Sequence, residues 1–207
     1  MKQMMKIVLA SASPRRAAIL RDAGIPFEVL ATQVDETRRD GELRGDYVRR
    51  LALEKARAAA ADANADSGDC LFVGADTVVV AGGKILGKPA SEEDARRMLR
   101  MLSGGAHEVH TGLAVVERPG TAEGVTDEIT RVTFAALSDD EIENYIATGE
   151  PFDKAGAYGI QGIGGRYVTR IEGCYFNVMG LPLARLWSLL QEFGWKEAAS
   201  RESAAKK

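Results

Sequence analysis

The sequence predicts one α/β domain, and three observations predict it. Short apolar runs rich in β-branched residues alternate with stretches of helical periodicity. The helical stretches open on capping residues and close on glycines. The chain has 207 residues, about one ordinary domain, with neither an internal repeat nor a linker to divide it. We read residues 1–196 as that domain and residues 197–207, small and charged, as a flexible tail. Hydrophobic residues at 45% and charged residues at 28% match ordinary soluble chains, which excludes disorder, a collagen-like repeat and a coiled-coil rod.

Taken in order, residues 7–10 read as a strand, and Ser13 followed by Pro14 suits an N-cap and a first helical position. That helix carries Ala17, Ala18, Ile19 and Leu20 and stops at Gly24, a left-handed C-cap. Residues 27–31 read as the next strand. A polar stretch at 35–45 precedes a helix over 46–63, whose apolar stripe runs through Val48, Leu51, Ala52 and Ala59. Residues 71–80, LFVGADTVVV, have the β-branched density of a buried central strand, and Gly82 with Gly83 suits a two-residue hairpin turn into a strand at 84–86. Ser91 with Asp94, and Ser138 with Glu141, resemble capping boxes that open helices ending at Gly104 and Gly149. Between those helices, residues 109–116 and 129–137 read as strands joined by a polar loop that includes Pro119, Gly120 and Gly124. Residues 156–165 form a glycine-rich stretch, 167–171 a strand, and 181–193 a terminal helix with Pro182 near its start.

Charge and cysteine content narrow the function. Lys and Arg number 27 against 30 Asp and Glu, a formal charge of −3, so the chain is not a duplex binder that neutralises many phosphates, and any anion site is local. Cys70 and Cys174 are too few for a disulfide framework and fit a reducing compartment, which points to the cytoplasm. The first apolar run is too short for a signal-peptide core, and no stretch approaches the roughly 20 apolar residues a membrane helix needs.

Several residues stand out chemically. Ser13, Pro14, Arg15 and Arg16 place two guanidinium groups at a helix N-terminus, where free N–H groups and the dipole favour a phosphate; the alternative is a capped helix with two solvated arginines. Lys55 falls in the middle of an apolar stripe, where it either faces inward or snorkels past to water. Asp76 lies inside an apolar strand and must be paired, protonated or metal-bound. Asp35 and Glu36, at the end of a strand, are candidate oxygen ligands for a hard divalent cation, although such a pair is often only solvated. Lys88, pinned in extended backbone by Pro89, is placed to touch phosphate oxygens. Gln161 sits among glycines that permit close approach to a ligand and can read a base edge; the alternative is an ordinary glycine-rich turn. His107 and His110 have no Cys or third His nearby and read as structural. No nucleophile elbow surrounds Ser11, neither cysteine has a neighbouring His, and no Walker or dinucleotide glycine pattern is present.

The segments ASASPRR at 10–16, LEKAR at 53–57, GADTVVV at 74–80, LGKP at 86–89, MLSGGAHEVHTG at 101–112, DKAGAYGIQG at 153–162 and IEGCYFNVMGLPL at 171–183 resemble, in order, the Maf family of nucleoside triphosphate pyrophosphatases. The resemblance runs from residue 6 to about 193. It implies a fold similar to the inosine triphosphate pyrophosphatases: a mixed twisted sheet flanked by helices, with two lobes around a central cleft. It implies hydrolysis of a nucleoside triphosphate to monophosphate and pyrophosphate with a divalent metal, Mg²⁺ or Mn²⁺, and a homodimer fits the family. By motif position, Asp76 is the catalytic acid/base, Arg15, Thr77 and Gln161 bear on substrate choice, and Ser11, Glu36, Lys55 and Lys88 match further cleft residues. The form of the 153–162 segment resembles the branch acting on dTTP and UTP rather than 7-methyl-GTP.

These readings combine into one expectation. Asp76 and Glu36 hold the metal and orient a water for attack at the α-phosphorus, either carboxylate serving as base. Lys55, Lys88 and Arg15 neutralise the charge that builds on the leaving pyrophosphate, and Arg16 joins Ser11, Arg15, Thr77 and Gln161 in binding the substrate. The rivals are a nucleotide-binding regulator tied to cell division without turnover, a house-cleaning enzyme for modified or non-standard nucleotides, and a phosphatase removing the γ-phosphate. Stable nucleic-acid binding is not expected, since the charge is negative and no aromatic RNA-binding pattern is present.

Overall fold

The computed structural model describes residues 5–63 and 68–196; the tail expected at 197–207 lies outside them. The order is β1 (Lys6–Leu9), α1 (Pro14–Asp22), β2 (Phe27–Val29), α2 (Arg44–Asp62), β3 (Cys70–Ala81), β4 (Lys84–Leu86), α3 (Glu92–Leu102), β5 (Ala106–Arg118), β6 (Glu123–Phe134) and α4 (Asp139–Ile146). Three short 3₁₀ turns, Glu150–Asp153, Ala155–Ala157 and Ile163–Tyr167, lead to β7 (Val168–Glu172), α5 (Tyr175–Val178) and α6 (Leu183–Glu192).

Local chemistry accounts for most boundaries. Pro14 opens α1 and Gly24, at φ +69°, follows its end, but the Ser13 side chain makes no capping bond; Ser11 Oγ instead accepts the Ser13 amide at 3.2 Å. The box at Ser138 and Glu141 is complete. That at Ser91 is half made, because Asp94 accepts from Ala90 N rather than from the cap residue. Gly82 and Gly83 both have positive φ, as the tight β3–β4 turn demands. Two expectations shift. Gly124 belongs to β6, where a Cβ would stand 2.7 Å from Leu189 Cδ1, so the glycine admits α6 and the β5–β6 loop shrinks to 119–122. Pro182 caps α6 rather than starting it, and short α5 was not foreseen.

The sheet is mixed, in the order β2-β1-β3-β5-β6-β7, with β4 also on β3. Strands β1 and β2 are parallel, as are β1 and β3, while β3–β4, β3–β5, β5–β6 and β6–β7 are antiparallel. The long β3 positions the site. One edge pairs with β5 from Cys70 to Val80; the other pairs with β1 over residues 70–73 and with β4 over 79–81. Between them, residues 74–78 carry no ladder partner on that edge, and the sheet is split where Asp76 and Thr77 lie.

Alternation along β3 sends the two side chains to opposite faces. On Thr77's face, Leu71, Val73 and Ala75 pack with Ile19, Leu20, Leu186 and Leu190, whereas Val79 and Ala81 pack with Met98, Leu99, Ile142 and Tyr145. Thr77 stands between these two cores, which are the lobes. On Asp76's face, α2 lies against the sheet through Ala52 and Ala56 on Phe72 and Ala114, and Val48 on Val78 and Val80. It approaches closely because Gly74 and Gly112 have no side chains: a Cβ at Gly74 would lie 2.0 Å from Ala52 O, and one at Gly112 2.1 Å from Val48 O.

Candidate active site

The near contact of α2 and β3 places Lys55 over Asp76. Lys55 Nζ stands 2.6 Å from Asp76 Oδ1 and 2.7 Å from Glu36 Oε1. The lysine therefore faces inward, its side chain only 12% exposed, and Asp76 is paired. Burial nevertheless pushes the Asp76 carboxyl up, outweighing the pull of Lys55 and Arg16. Glu36, 61% exposed, is held below the ordinary carboxylate range by its hydrogen bond from Lys55. Tyr47 of α2 donates to Glu36 O at 2.8 Å and so ties this loop to the helix. Asp35 turns back to accept the Thr37 amide at 2.9 Å and is not part of the cleft lining.

On the other face, Arg16 is the hub. It donates through Nε to Gly180 O at 2.7 Å, and through its terminal nitrogens to Ser11 Oγ at 3.0 Å and Thr77 Oγ1 at 3.1 Å. Thr77 in turn meets Thr111 Oγ1 at 3.0 Å. Burial lowers the Arg16 pKa, opposed by Asp76. Arg15, its sequence neighbour, points elsewhere: it reaches across the cleft to Asp153 Oδ2 at 2.6 Å, while Lys154 holds the other oxygen at 2.5 Å.

Lys88 and Gln161 are exposed at the rim. All nine residues singled out from the sequence, Ser11, Arg15, Arg16, Glu36, Lys55, Asp76, Thr77, Lys88 and Gln161, line one cavity of about 540 Å³. Further lining residues had no assigned part, among them Tyr47, Asp153, Lys154 and Tyr158. Asp153 and Lys154 open the 153–162 segment, so their signal was present; Tyr47 left none. His107 shares a 2.9 Å hydrogen bond with Tyr158 Oη and His110 one of 2.9 Å with Glu108, both outside the lining. The glycines around Gln161 also admit neighbouring side chains of the protein. A Cβ at Gly159, Gly162 or Gly164 would meet Lys154, Glu150 or Tyr145 at 2.6 Å or less.

Five cationic lining residues face three carboxylates, so the cavity suits a polyanion of nucleotide size at the split of a mixed sheet. The model of the Maf-like protein family matches residues 6–193, and the chain belongs to that family. It is 53% identical over 191 residues to a protein of Moorella thermoacetica named dTTP/UTP pyrophosphatase, covering 92% of this chain and 96% of the relative. Relatives of the same name from Koribacter versatilis and Bacillus cereus are 52% and 46% identical, each over 92% of this chain and 95% and 96% of their own. Among solved structures, a nucleoside-triphosphatase, dITP/XTP pyrophosphatase, from Mycobacterium abscessus aligns over 92% of this chain and 95% of its own at 13% identity, with a TM-score of 0.38. No described helix is long and apolar enough to cross a membrane.

Proposed function

We propose that this chain hydrolyses nucleoside triphosphates, dTTP and UTP above all, to the monophosphate and pyrophosphate. The observation that carries the reading is the buried Asp76 carboxylate, bridged through Lys55 to the exposed Glu36, inside a cavity rimmed by Arg15 and Lys88. The name shared by relatives near half identity supports the pyrimidine substrates.

In this reading Asp76 takes the proton of the attacking water, a role its raised pKa favours. Lys55 orients both carboxylates, and Lys88 and Arg15 bind the charge that builds on the leaving pyrophosphate. Arg16 fixes Ser11 and Thr77 against the substrate, and Gln161 meets the base edge. A divalent cation, Mg²⁺ or Mn²⁺, fits the donor set. Asp76 and Glu36 converge on one cationic position, and Mg²⁺ is typically held by one or two carboxylates together with substrate phosphates. Asp76 and Glu36 would hold it, and bound there it would supply positive charge to the phosphate oxygens. Among the described residues no group of three or more His, Cys, Asp or Glu comes together as a metal cage. Location in the cytoplasm belongs to the same proposal, supported by a cysteine content of two, too sparse for a disulfide framework.

A product assay tests this. Offered separately with Mg²⁺ or Mn²⁺, dTTP and UTP yield monophosphate and pyrophosphate faster than CTP, ITP or 7-methyl-GTP. Diphosphate and phosphate as products would refute the reaction, preference for ITP or 7-methyl-GTP the substrate, and absence of turnover would favour a nucleotide-binding regulator.

A further inference from the structure

Gln161 is exposed at the apex of a loop without regular structure, yet a base-reading amide must be held in place to discriminate. What holds it lies behind the cleft. The Glu150 carboxylate, outside the cavity lining, accepts the Ile163 amide at 2.8 Å, the Gly164 amide at 3.1 Å and the Tyr145 hydroxyl at 2.8 Å. Tyr145, itself fully buried, accepts the Gly159 amide at 3.0 Å. Both ends of the 159–164 segment are thus tied to one Tyr145–Glu150 pair, and only Ile160, Gln161 and Gly162 stand between the ties. The three glycines fit this anchor: a Cβ would stand 2.4 Å from Glu150 Oε2 at Gly162, 2.5 Å from Tyr145 Oη at Gly164 and 2.6 Å from Lys154 Cε at Gly159. The backbone carbonyl of Glu150 also holds Lys154 Nζ at 2.7 Å. Burial pushes the Glu150 carboxyl up, but the Gly164 and Ile163 amides and the Tyr145 hydroxyl together bring it below its ordinary value, so it is an anion at neutral pH.

We infer that Glu150 is a positioning residue for substrate choice: it sets the register of Gln161 against the base and touches no substrate itself. The inference rests on the proposed reading of the cleft as a pyrimidine nucleotide site. In Glu150→Gln an NH2 donor replaces one of the two oxygens that accept separately from Ile163 and Gly164, and one tie is lost. Glu150→Asp keeps both acceptors one methylene short.

The experiment compares wild type, Glu150→Gln, Glu150→Asp, Gln161→Ala and the double variant Glu150→Gln/Gln161→Ala. UTP affinity is read by calorimetry in EDTA, which needs no turnover, and KM and kcat are read in the product assay. Hydrogen exchange at the Gly159, Ile163 and Gly164 amides reports the anchor alone. Glu150→Gln weakens UTP binding and raises KM by about tenfold, with kcat changed by less than about threefold. Glu150→Asp recovers most of this, and the double variant is no worse than Gln161→Ala. The three amides exchange faster in Glu150→Gln while those of β3 do not change. Independent, multiplying losses in the double variant overturn the inference, as do unchanged exchange at those amides or global loosening in both Glu150 variants. UTP that binds without being cleaved sinks the pyrophosphatase reading, while the cycle in affinity still decides the role of Glu150.

Discussion

The wall of the cleft that carries Arg16, Lys55, Asp76 and Thr77 stands on α1, α2 and β3, whereas the facing wall, with Lys154, Tyr158 and Gln161, is a run of 3₁₀ turns and glycines. On the first wall Lys55 and Asp76 hold each other at 2.6 Å and Arg16 is held by three acceptors. On the second, Gln161 is exposed and its loop is tied from behind. Regular elements fix side chains to within fractions of an ångström, which proton transfer needs; a tied loop can differ in sequence without disturbing that geometry. On the proposed reading, the difference places the proton transfer on the first wall and the base-reading amide on the second.

The sharpest test of that division is Asp76→Asn. The substitution keeps shape and removes the proton acceptor, so kcat/KM falls by about 10³-fold for dTTP and UTP alike. A thermal melt no lower than wild type shows that the loss is chemical. Near wild-type turnover in a folded protein would reverse the assignment of the two walls.

The next effect is on stability and comes from behind the second wall. His107 is buried against Phe134 and Tyr158, and burial lowers its pKa to about 4. The unfolded chain therefore binds a proton that the native state refuses. Stability supplied by the neutral ring is complete above the unfolded value near 6.5 and is lost as pH falls from there towards 4, by about 3 kcal/mol in all. Denaturant unfolding between pH 7 and 4 shows this limb in wild type, and His107→Phe flattens it. An identical slope in both proteins would mean that other groups carry the acid limb.

How far the sequence foretold the two walls follows the same line. Asp76 was visible because a carboxylate inside LFVGADTVVV has no bland explanation, and Lys55 because it interrupts a helical stripe; both are local patterns with a period. The helices, the two-glycine turn and the capping box at Ser138 were legible for the same reason. The split in β3 was not, since it arises from β1 and β4 sharing one edge from 61 and 3 residues away in the chain. Nor was the pairing of Arg15 with Asp153, 138 residues apart, or the tie from Glu150, because neither residue breaks a local pattern. The motif order resembled the family closely enough to gather eight of the nine cleft residues, while Arg16, occupied in holding Ser11, Thr77 and Gly180, entered only through the helix N-terminus that it shares with Arg15.

Gly74→Ala moves the first wall without altering any group in it. The new Cβ would lie 2.0 Å from Ala52 O and 2.8 Å from Ala56 N, both backbone of α2, so the helix must rise from the sheet. Stability falls by about 2 kcal/mol, and Lys55 leaves its place over Asp76, lowering kcat by about 10²-fold, equivalent to about 2.7 kcal/mol. KM for UTP stays within about threefold, because the second wall is untouched. A rise in KM with kcat preserved would show that α2 contributes to binding rather than to chemistry.

The smallest effect belongs to the ion pair between Arg15 and Asp153, which spans the two walls. Arg15, with a side chain 26% exposed, is held by Asp153, itself 57% exposed, at 2.6 Å, so a triphosphate that recruits Arg15 must compete with a carboxylate. An exposed pair of this kind contributes little, about 0.2–1 kcal/mol. Asp153→Asn weakens that competition and leaves Arg15 in reach of the phosphates, so KM for dTTP and UTP falls by about two- to fivefold and kcat does not change. The gain shrinks as salt is raised, since the released interaction is between exposed charges. Should KM rise instead, Asp153 would be contacting the substrate on the second wall's behalf, and the bridge to Arg15 would be the resting place of a group that selects the base rather than a brake on one that binds phosphate.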